Sequence, residues 1–336
     1  MTGATASERA ELLEMTREVA RRELIPRGTA LDAGELAVIG SCWRQLVELG
    51  LERALLPEEH GGAALDLFDL LAAIEELAVG DGGIALSVLL SNAALATTQP
   101  GDLAALPAGA RWLLVPVGCG DDVTISDGRL DGRIACALGA FEADGLVLVG
   151  AGFKPIAIPA ATPGLELERD QTQMGLRAAP GASLTFADIT ARSEMTATED
   201  AEPLMLLRAG TAAIARGIAR RAYEMAMEYA NARRQTGVAI IEHGAVSDLL
   251  GAMAVRLAIP LPTSAGETQA LAAKIVQTDA AVATTTDAVQ VFGGTGYIRE
   301  TGVEKLMRDA KYCQLFPEPN WVAQDELMRL ERARRR

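Results

Sequence analysis

The order of sequence patterns predicts a mostly α protein with a β middle domain. Apolar residues recur at helical spacing over residues 6–24, 35–49 and 67–79, and again in long stretches after residue 202. Between these segments, from residue 112 to about residue 198, short alternating or β-branched runs are separated by Gly, Pro and Asp. A doubly wound parallel sheet would alternate strands with helices along the chain, so this order argues against that class.

The same patterns divide the chain into three predicted domains. An N-terminal helical domain covers residues 1–110, because the helical pattern fades near Pro100 and Gly101. A small antiparallel β-domain covers residues 111–198, with strands expected at 112–117, 145–149, 155–159 and 182–186. A C-terminal helical bundle covers residues 199–336, with long helices expected at 204–233, 243–258 and 268–292.

Length, composition and charge are those of a folded protein without a nucleic-acid partner. Of 336 residues, 49% are hydrophobic, 23% are charged and 4% are aromatic. The net charge is −14, whereas nucleic-acid binding requires a basic face that neutralises phosphates. No run of about 18 apolar residues is present, so we expect no membrane span. The charged N-terminus lacks the apolar core of a signal peptide, which predicts a cytoplasmic protein.

Few side chains are suited to a metal site or a disulfide framework. The chain has two histidines, His60 and His243, and four cysteines without paired spacing. The cysteines are Cys42, Cys119, Cys136 and Cys313. We therefore expect no metal site and reduced thiols.

Three segments in the C-terminal half stand out. The first, YANARRQTG at 229–237, ends a long predicted helix with two arginines and a glycine, which is also an ordinary helix-capping pattern. The second, QVFGGTGY at 290–297, is a glycine-rich turn that permits close backbone approach to a phosphate, although most such turns are only turns. The third, EKLMRDAK at 304–311, has i,i+4 charge pairs typical of a solvated helix face.

In this order and spacing the three segments resemble the acyl-CoA dehydrogenase family, and the similarity extends over nearly the whole chain. Further matching segments are LPEEHGG at 56–62, IEELA at 74–78, LDGR at 130–133 and MGLR at 174–177. The resemblance implies a helical domain, a small antiparallel β-domain and a four-helix bundle. It also implies α,β-desaturation of an acyl-CoA thioester, with a glutamate as base, FAD as hydride acceptor and an electron-transfer flavoprotein as the next acceptor.

The resemblance also implies roles for particular residues. Arg233 would reach the FAD pyrophosphate across a subunit interface, and Thr236 stands nearby, in place of the family's usual phenylalanine. Gln290, Gly293 and Gly294 would line the adenine–diphosphate end of a neighbouring subunit's FAD. The adjacent residues 308 and 309, an arginine and an aspartate, would form a structural ion pair.

Two departures from the family pattern concern the flavin and the catalytic base. The family's flavin loop, of the type T-E-P-x-x-G-S-D, is absent, and residues 136–139 lack the expected aromatic and hydroxyl groups. A gap-free comparison places Pro317 where the family carries its glutamate, and Leu207 at the alternative position found in some members. Glu318 is then the remaining candidate base if its turn re-aims the side chain; otherwise it is an exposed loop carboxylate.

A chain that keeps interface-spanning flavin residues but lacks its own flavin loop and base fits one half of a heteromer. It resembles the shorter subunits of α2β2 family members that act on steroid side-chain CoA thioesters, in which a paralogous subunit supplies the missing parts. The alternative is a non-catalytic structural or regulatory homologue without its own flavin. A third interpretation, the DNA-associated alkylation-response branch of the same superfamily, is disfavoured by the net charge of −14 and by a basic tail that is only short.

Overall fold

The computed structural model describes residues 6–98, 109–118, 121–126, 128–150, 153–190, 202–262 and 266–335. Helices come first, then strands, then helices, so the predicted fold class is confirmed. The predicted domain boundaries at residues 110 and 198 stay predictions, and the second falls outside the described residues. None of the described helices is both long and apolar enough to cross a membrane.

The N-terminal domain consists of helices, and the last of them, Gly82–Thr97, is buried along nearly its whole length. Its helices are α1 (Ala6–Val19, continued by a π-helical turn, Ala20–Leu24), α2 (Gly28–Asp32), α3 (Leu36–Glu48), α4 (Leu67–Gly80) and α5 (Gly82–Thr97). A single residue, Asp81, joins α4 to α5, and its Oδ1 accepts hydrogen bonds from Gly83 N at 2.9 Å and Ile84 N at 3.0 Å. Such an N-cap satisfies amide donors that the helix itself leaves unpaired.

The middle domain consists of two sheets. The strands are β1 (Trp112–Pro116), β2 (Asp122–Ser126), β3 (Arg129–Ala137), β4 (Gly145–Val149), β5 (Ile156–Pro159), β6 (Leu165–Arg169) and β7 (Ala182–Thr190). One sheet, in the order β2-β3-β7-β6, is antiparallel throughout. In the other, β1-β4-β5, β1 and β4 are parallel, so the expectation of a wholly antiparallel domain holds except for this pair. The chain leaves β1 to form the β2–β3 hairpin in the other sheet and then re-enters in the same direction.

The C-terminal domain is a helical bundle built around two long helices. Its elements are α6 (Pro203–Ala232), a two-stranded ribbon of β8 (Arg234–Gln235) and β9 (Val238–Ala239), α7 (Gly244–Leu257), α8 (Glu267–Phe292), α9 (Val303–Cys313) and α10 (Asn320–Arg334). Helices α6 and α8 run in the same direction, because both their first turns and their last turns meet. Arg208 lies 3.5 Å from Glu267 at one end, and the rings of Tyr229 and Phe292 stack at 4.3 Å at the other.

A buried charge cluster joins the three domains. Lys305 of α9 pairs with Asp309 on the same helix and with Asp81 at the start of α5, at 2.9 Å. Asp309 Oδ1 also accepts a hydrogen bond from the backbone N of Leu176, which precedes β7, at 2.6 Å. Burial raises the pKa of Asp309, whereas the two carboxylates raise the pKa of Lys305 despite its burial. The interpretation of residues 304–311 as a solvated face is therefore wrong for Lys305 and Asp309, which are both buried.

The predicted pairing of Arg308 with Asp309 is also wrong, because each residue has a different partner. Arg308 donates hydrogen bonds to Asp32 at 2.8 and 3.0 Å and to Glu304 at 2.6 Å. Consecutive helical residues point about 100° apart, so side chains at 308 and 309 face different neighbours. Both residues remain structural, but they connect different parts of the molecule.

Candidate functional site

Glu318 lies in the turn between α9 and α10, and it is not an exposed loop carboxylate. Its Oε1 accepts a hydrogen bond from Nε of Arg208 at 3.0 Å. The Glu318 side chain is only 16% exposed and that of Arg208 only 8%. Arg208 also lies 3.5 Å from Glu267. The hydrogen bond orients the Glu318 carboxylate toward Arg208.

Lys274 of α8 donates hydrogen bonds to the same turn. Its side chain is fully buried, and its Nζ donates hydrogen bonds to Glu318 O at 2.6 Å, Asn320 Oδ1 at 2.6 Å and Gln314 O at 3.2 Å. Burial lowers the pKa of Lys274 to about 8. Three donors of one ammonium group thus fix both sides of the turn. Sequence reasoning missed this residue, although Lys274 stands at helical spacing from buried Leu271 and Thr278, which was a usable signal.

Pro317, which is predicted to stand where the family carries its base, lines a cavity of about 230 Å³, here called the Pro317 cavity. The other lining residues come from β1 and the turn after it, from the end of β3 and from the end of α9. Glu318 is not among them. Leu207, the alternative position, is fully buried in the hydrophobic core. Neither family position therefore presents a proton acceptor to this cavity.

The polar side chains of the Pro317 cavity do not replace that base. Burial, with the nearby carboxylates of Asp170 and Asp121, raises the pKa of Cys136, so this thiol stays protonated at neutral pH. Burial also raises the pKa of Tyr312. The Asp121 carboxylate accepts a hydrogen bond from Gly118 N at 2.9 Å, which ties it to its own loop. The cavity wall is otherwise mainly apolar.

A larger cavity, of about 550 Å³, has Arg208 in its wall, and we call it the Arg208 cavity. It is enclosed by the end of β4, the first turns of α6 and α8, and α10. Apolar side chains such as Phe153, Leu204 and Val322 line it, together with Arg208. Sequence reasoning did not find this cavity, because its walls come from four separated segments.

The predicted cofactor residues come together at the other end of α6 and α8. Residues Arg233, Thr236, Gln290, Gly293 and Gly294 form what we call the helix-end face. The Tyr229–Phe292 stack brings its two halves together, and Thr295 Oγ1 donates a hydrogen bond of 3.4 Å to the Tyr229 hydroxyl.

The helix-end face is open. Its side chains at 233, 236 and 290 are exposed. The Arg233 guanidinium has no hydrogen-bond or ion-pair partner within the described parts of the chain. A Cβ added to Gly293 or Gly294 would meet open space, so their backbone is bare, and Gly293 has φ +61°, a conformation that favours glycine.

The helix-end face and the Pro317 cavity are far apart on one chain. Arg208, which contacts the turn that carries Pro317, lies near the start of α6, and Arg233 follows its last residue. A rise of about 1.5 Å per residue separates the two arginines by roughly 37 Å along the helix. No residue belongs to both sites. A single extended dinucleotide cannot be held by both sites of the same chain.

Two sequence models of one family match the chain. The acyl-CoA dehydrogenase N-terminal domain matches residues 6–100, and the acyl-CoA dehydrogenase C-terminal domain matches residues 200–317. Together with the fold, these matches show that the chain belongs to the acyl-CoA dehydrogenase family, whose members are flavoproteins that dehydrogenate acyl-CoA.

Individual relatives agree with this assignment. Cyclohex-1-ene-1-carbonyl-CoA dehydrogenase of Syntrophus aciditrophicus is 29% identical, over 93% of this chain and 86% of its own. The mitochondrial short-chain specific acyl-CoA dehydrogenase of Bos taurus is 27% identical, over 91% and 85%. Among solved structures, butyryl-CoA dehydrogenase of Megasphaera elsdenii superposes with a TM-score of 0.82 at 23% identity, covering 96% of this chain and 98% of that chain. An acyl-CoA dehydrogenase of Bacillus anthracis, solved with FAD, gives a TM-score of 0.84 at 19% identity, covering 98% and 68%.

The two sites differ in how well they suit FAD. The helix-end face offers an unpaired guanidinium, an exposed amide and bare backbone, which are the groups that bind a pyrophosphate. Among its described residues the Pro317 cavity offers a thiol, a carboxylate and the Tyr312 hydroxyl in a mainly apolar wall, without a serine, threonine or amide side chain that would hydrogen-bond a flavin ring. The residues present therefore fit the diphosphate end of FAD at the first site and do not fit its ring at the second.

Proposed function

We propose that this chain is a subunit of a FAD-dependent acyl-CoA dehydrogenase that acts as a heteromer with a paralogous subunit. The reaction is α,β-desaturation of an acyl-CoA thioester in the cytoplasm, and the resemblance to shorter heteromeric subunits extends the substrate class to steroid side-chain CoA esters. The observation that carries the proposal is the contrast between an open helix-end face and a Pro317 cavity without a base. An electron-transfer flavoprotein is the proposed electron acceptor.

When bound, FAD accepts the hydride that leaves the β-carbon of the thioester. The role of this chain is to hold the diphosphate end of that cofactor. Arg233 would donate charge-assisted hydrogen bonds to the pyrophosphate, and Gln290 with the bare backbone of Gly293 and Gly294 would contact the adenine–diphosphate end. Thr236, at φ +50°, lies in the tight turn beside Arg233. In this proposal the residues that would hold the flavin ring belong to the partner subunit.

The proton is abstracted by the partner in this proposal. A general base must reach the α-carbon, either directly or through one water. The two family positions of this chain carry Pro317 and Leu207, neither of which accepts a proton. Glu318 is held by Arg208 and does not line the Pro317 cavity. The glutamate that matches Pro317 in the paralogue therefore serves as the base.

A non-catalytic structural homologue is the second candidate function. It is favoured by the same Pro317 cavity, because a chain that only stabilises a partner needs neither a base nor flavin-ring donors. The helix-end face distinguishes the two candidates, since it has a role in the first and none in the second.

The deciding experiment is purification of this chain alone and together with a longer paralogue that contains the flavin loop and the glutamate. We expect the chain alone to be poorly soluble or flavin-poor, because an obligate subunit exposes apolar interface without its partner. The co-expressed pair should form a tetramer with about half the flavin expected for four loaded subunits. A stable homotetramer with one FAD per chain contradicts the proposal. A tetramer whose flavin content is unaffected by Arg233→Ala supports the structural alternative.

A further inference from the structure

A third cavity, of about 250 Å³, lies where the N-terminal domain, the loop before β7 and the start of α9 meet. We call it the Arg177 cavity. It shares no lining residue with the Pro317 cavity, the Arg208 cavity or the helix-end face. Its charged lining residues are four basic side chains and two acidic ones, namely Arg177, Arg221, Arg299, Lys305, Asp32 and Glu300. Lys305 is already paired with Asp81 and Asp309, so the available positive charge of this cavity comes from its three arginines.

Three of these basic side chains have no partner. The guanidinium groups of Arg177, Arg221 and Arg299 form no hydrogen bond or ion pair with any described residue. Arg177 is close enough to Asp32 to help lower the pKa of that carboxyl, but Arg308 already occupies both oxygens of Asp32 at 2.8 and 3.0 Å. The carboxylate is therefore not available to neutralise a second guanidinium.

The loop that carries Arg177 is held in a strained shape. Leu176 has φ +52°, which is costly for a residue with a branched side chain, and its backbone N donates to the buried Asp309 at 2.6 Å. Gln173 Nε2 donates to Gly175 O and Leu176 O, both at 3.0 Å. Gly175 has no room for a side chain, because a Cβ there would lie 2.5 Å from the carbonyl oxygen of Arg308. Strain of this kind persists where the surroundings over-determine it, and it fixes the position of Arg177.

Three free guanidinium groups around one concave cavity have a specific ligand preference. The planar guanidinium matches the oxygens of a phosphate in pairs, and two or three of them balance a phosphate dianion. Arg177 and Arg221 are half-buried, so an anion bound there is partly shielded from water, which strengthens the interaction. The exposed hydroxyl of Thr29 adds a further donor at the wall.

From these observations we propose that the Arg177 cavity binds a small phosphate-bearing anion, of a size between inorganic phosphate and a nucleoside monophosphate. Arg177 and Arg221 form the inner contacts, and Arg299 closes over the ligand from the exposed rim. The proposal is independent of the heteromer and of the flavin site, because the cavity contains none of their residues.

The test is isothermal titration of the full-length protein, in whatever assembly it is purified, with inorganic phosphate and then with adenosine monophosphate. Sodium chloride at the same ionic strength serves as the control for general screening. We expect saturable binding that Arg177→Gln weakens about tenfold or more and that Arg177→Lys partly restores. Arg44→Gln, which removes another exposed and unpaired arginine, should leave binding unchanged.

Two further variants keep the outcome decisive. Arg299→Gln removes an exposed rim side chain, so it tests the site even if Arg177→Gln does not fold, and we expect it to weaken phosphate binding. Arg221→Gln removes the second half-buried guanidinium of the cavity, and we expect it to weaken phosphate binding as well. Binding that persists unchanged in both Arg177→Gln and Arg299→Gln overturns the proposal, as does the absence of any binding beyond that of chloride.

Discussion

The two ends of the α6–α8 pair treat polar side chains in opposite ways. At the N-terminal end, Arg208, Glu318 and Lys274 are buried or nearly so, and their polar atoms are paired within the chain. At the C-terminal end, Arg233 and Gln290 are exposed, and Arg233 has no partner in the described structure. Buried polar groups must be satisfied internally, whereas exposed ones remain available to another molecule. Folding alone therefore pairs the polar groups at the N-terminal end, whereas the C-terminal end keeps groups that another molecule could bind.

The largest expected effect tests whether Glu318, at the N-terminal end of the α6–α8 pair, takes part in catalysis. Glu318→Gln should change turnover of the heteromer by less than about threefold, or ~0.7 kcal/mol in barrier, because Glu318 faces Arg208 and does not line the Pro317 cavity. Replacing the matching glutamate of the paralogue should cost more than about a thousandfold. The measurement is acyl-CoA-dependent reduction of an artificial acceptor, with flavin content determined first.

A matched control for that experiment is Glu267→Gln, which removes the other carboxylate near Arg208 at 3.5 Å. It should behave like Glu318→Gln if both are structural partners of Arg208. Loss of reduction in Glu318→Gln alone, with flavin still bound, would make Glu318 the base and this chain catalytic in its own right.

The next effect concerns the contribution of buried Lys274, at the same N-terminal end, to the stability of the protein. Lys274→Met leaves Glu318 O, Asn320 Oδ1 and Gln314 O without their buried donor, so we expect a loss of roughly 3 kcal/mol in unfolding free energy at pH 7. Lys311→Met, which removes an exposed lysine that contacts the Gln314 side chain at 2.7 Å, should cost far less. Urea unfolding of the same assembly measures both. Equal losses in the two variants would contradict the role of the buried amine.

The pKa of Lys274 also predicts a pH dependence. The folded state releases the proton near pH 8, whereas the unfolded chain keeps it until about 10.5. Below pH 8 both states are protonated, and the folded state bears the full cost of burying the charge. As pH rises from about 8 to about 10.5, wild type should therefore gain stability relative to Lys274→Met, by up to roughly 3 kcal/mol. A difference between the two proteins that stays flat over this window would be the contrary result.

At the open end, Arg233→Ala should weaken flavin retention by roughly 1.5–3 kcal/mol, because a charge-assisted hydrogen bond to a pyrophosphate is lost. Arg233→Lys should restore only part of it, since an ammonium cannot form the paired contacts of a guanidinium. The adjacent Arg234→Ala, also exposed, is the matched control and should retain flavin. Flavin released per heteromer during dialysis, followed by absorbance, distinguishes the variants. Unchanged retention in Arg233→Ala would show that this helix end is only a cap.

The smallest expected effect tests whether Tyr229 only supports the helix-end face or also contacts the cofactor. Tyr229→Phe keeps the ring stack with Phe292 and removes only the acceptor of a long hydrogen bond from Thr295, of 3.4 Å. We expect less than about 0.5 kcal/mol in stability and no change in flavin retention. Tyr229→Ala removes the stack as well and should lower the thermal midpoint clearly. Flavin loss in Tyr229→Phe would indicate that the hydroxyl contacts the cofactor.

The sequence predicted features that depend on periodicity, and it missed those that depend on charged groups meeting across the fold. Helices α6 and α8 were placed within about two residues because their apolar positions recur at a fixed spacing. The parallel pairing of β1 with β4 was missed, since it depends on a crossover between two sheets. The Arg208–Glu318 contact joins residues 110 positions apart, and no local sequence pattern predicts such a pair.

The candidate site divides in the same way. The helix-end residues belong to short contiguous motifs, so a resemblance can propose them from the sequence, and the structure places them where the ends of α6 and α8 meet. The Arg208 cavity and Arg177 cavity are assembled from four or more distant segments, and only the folded chain shows them.

The buried cluster of Asp81, Lys305 and Asp309 has a consequence for how the chain unfolds. Each domain contributes one part of it: a helix cap from the first, two charges from the third and a backbone donor at Leu176 from the second. Separating the first domain from the third breaks the buried pair of Asp81 with Lys305, at a cost of roughly 3–5 kcal/mol, and removing the second leaves Asp309 without its donor at Leu176. The three domains can be distinguished along the sequence, but we expect them to unfold together, and we expect none of them to stay folded when another is removed.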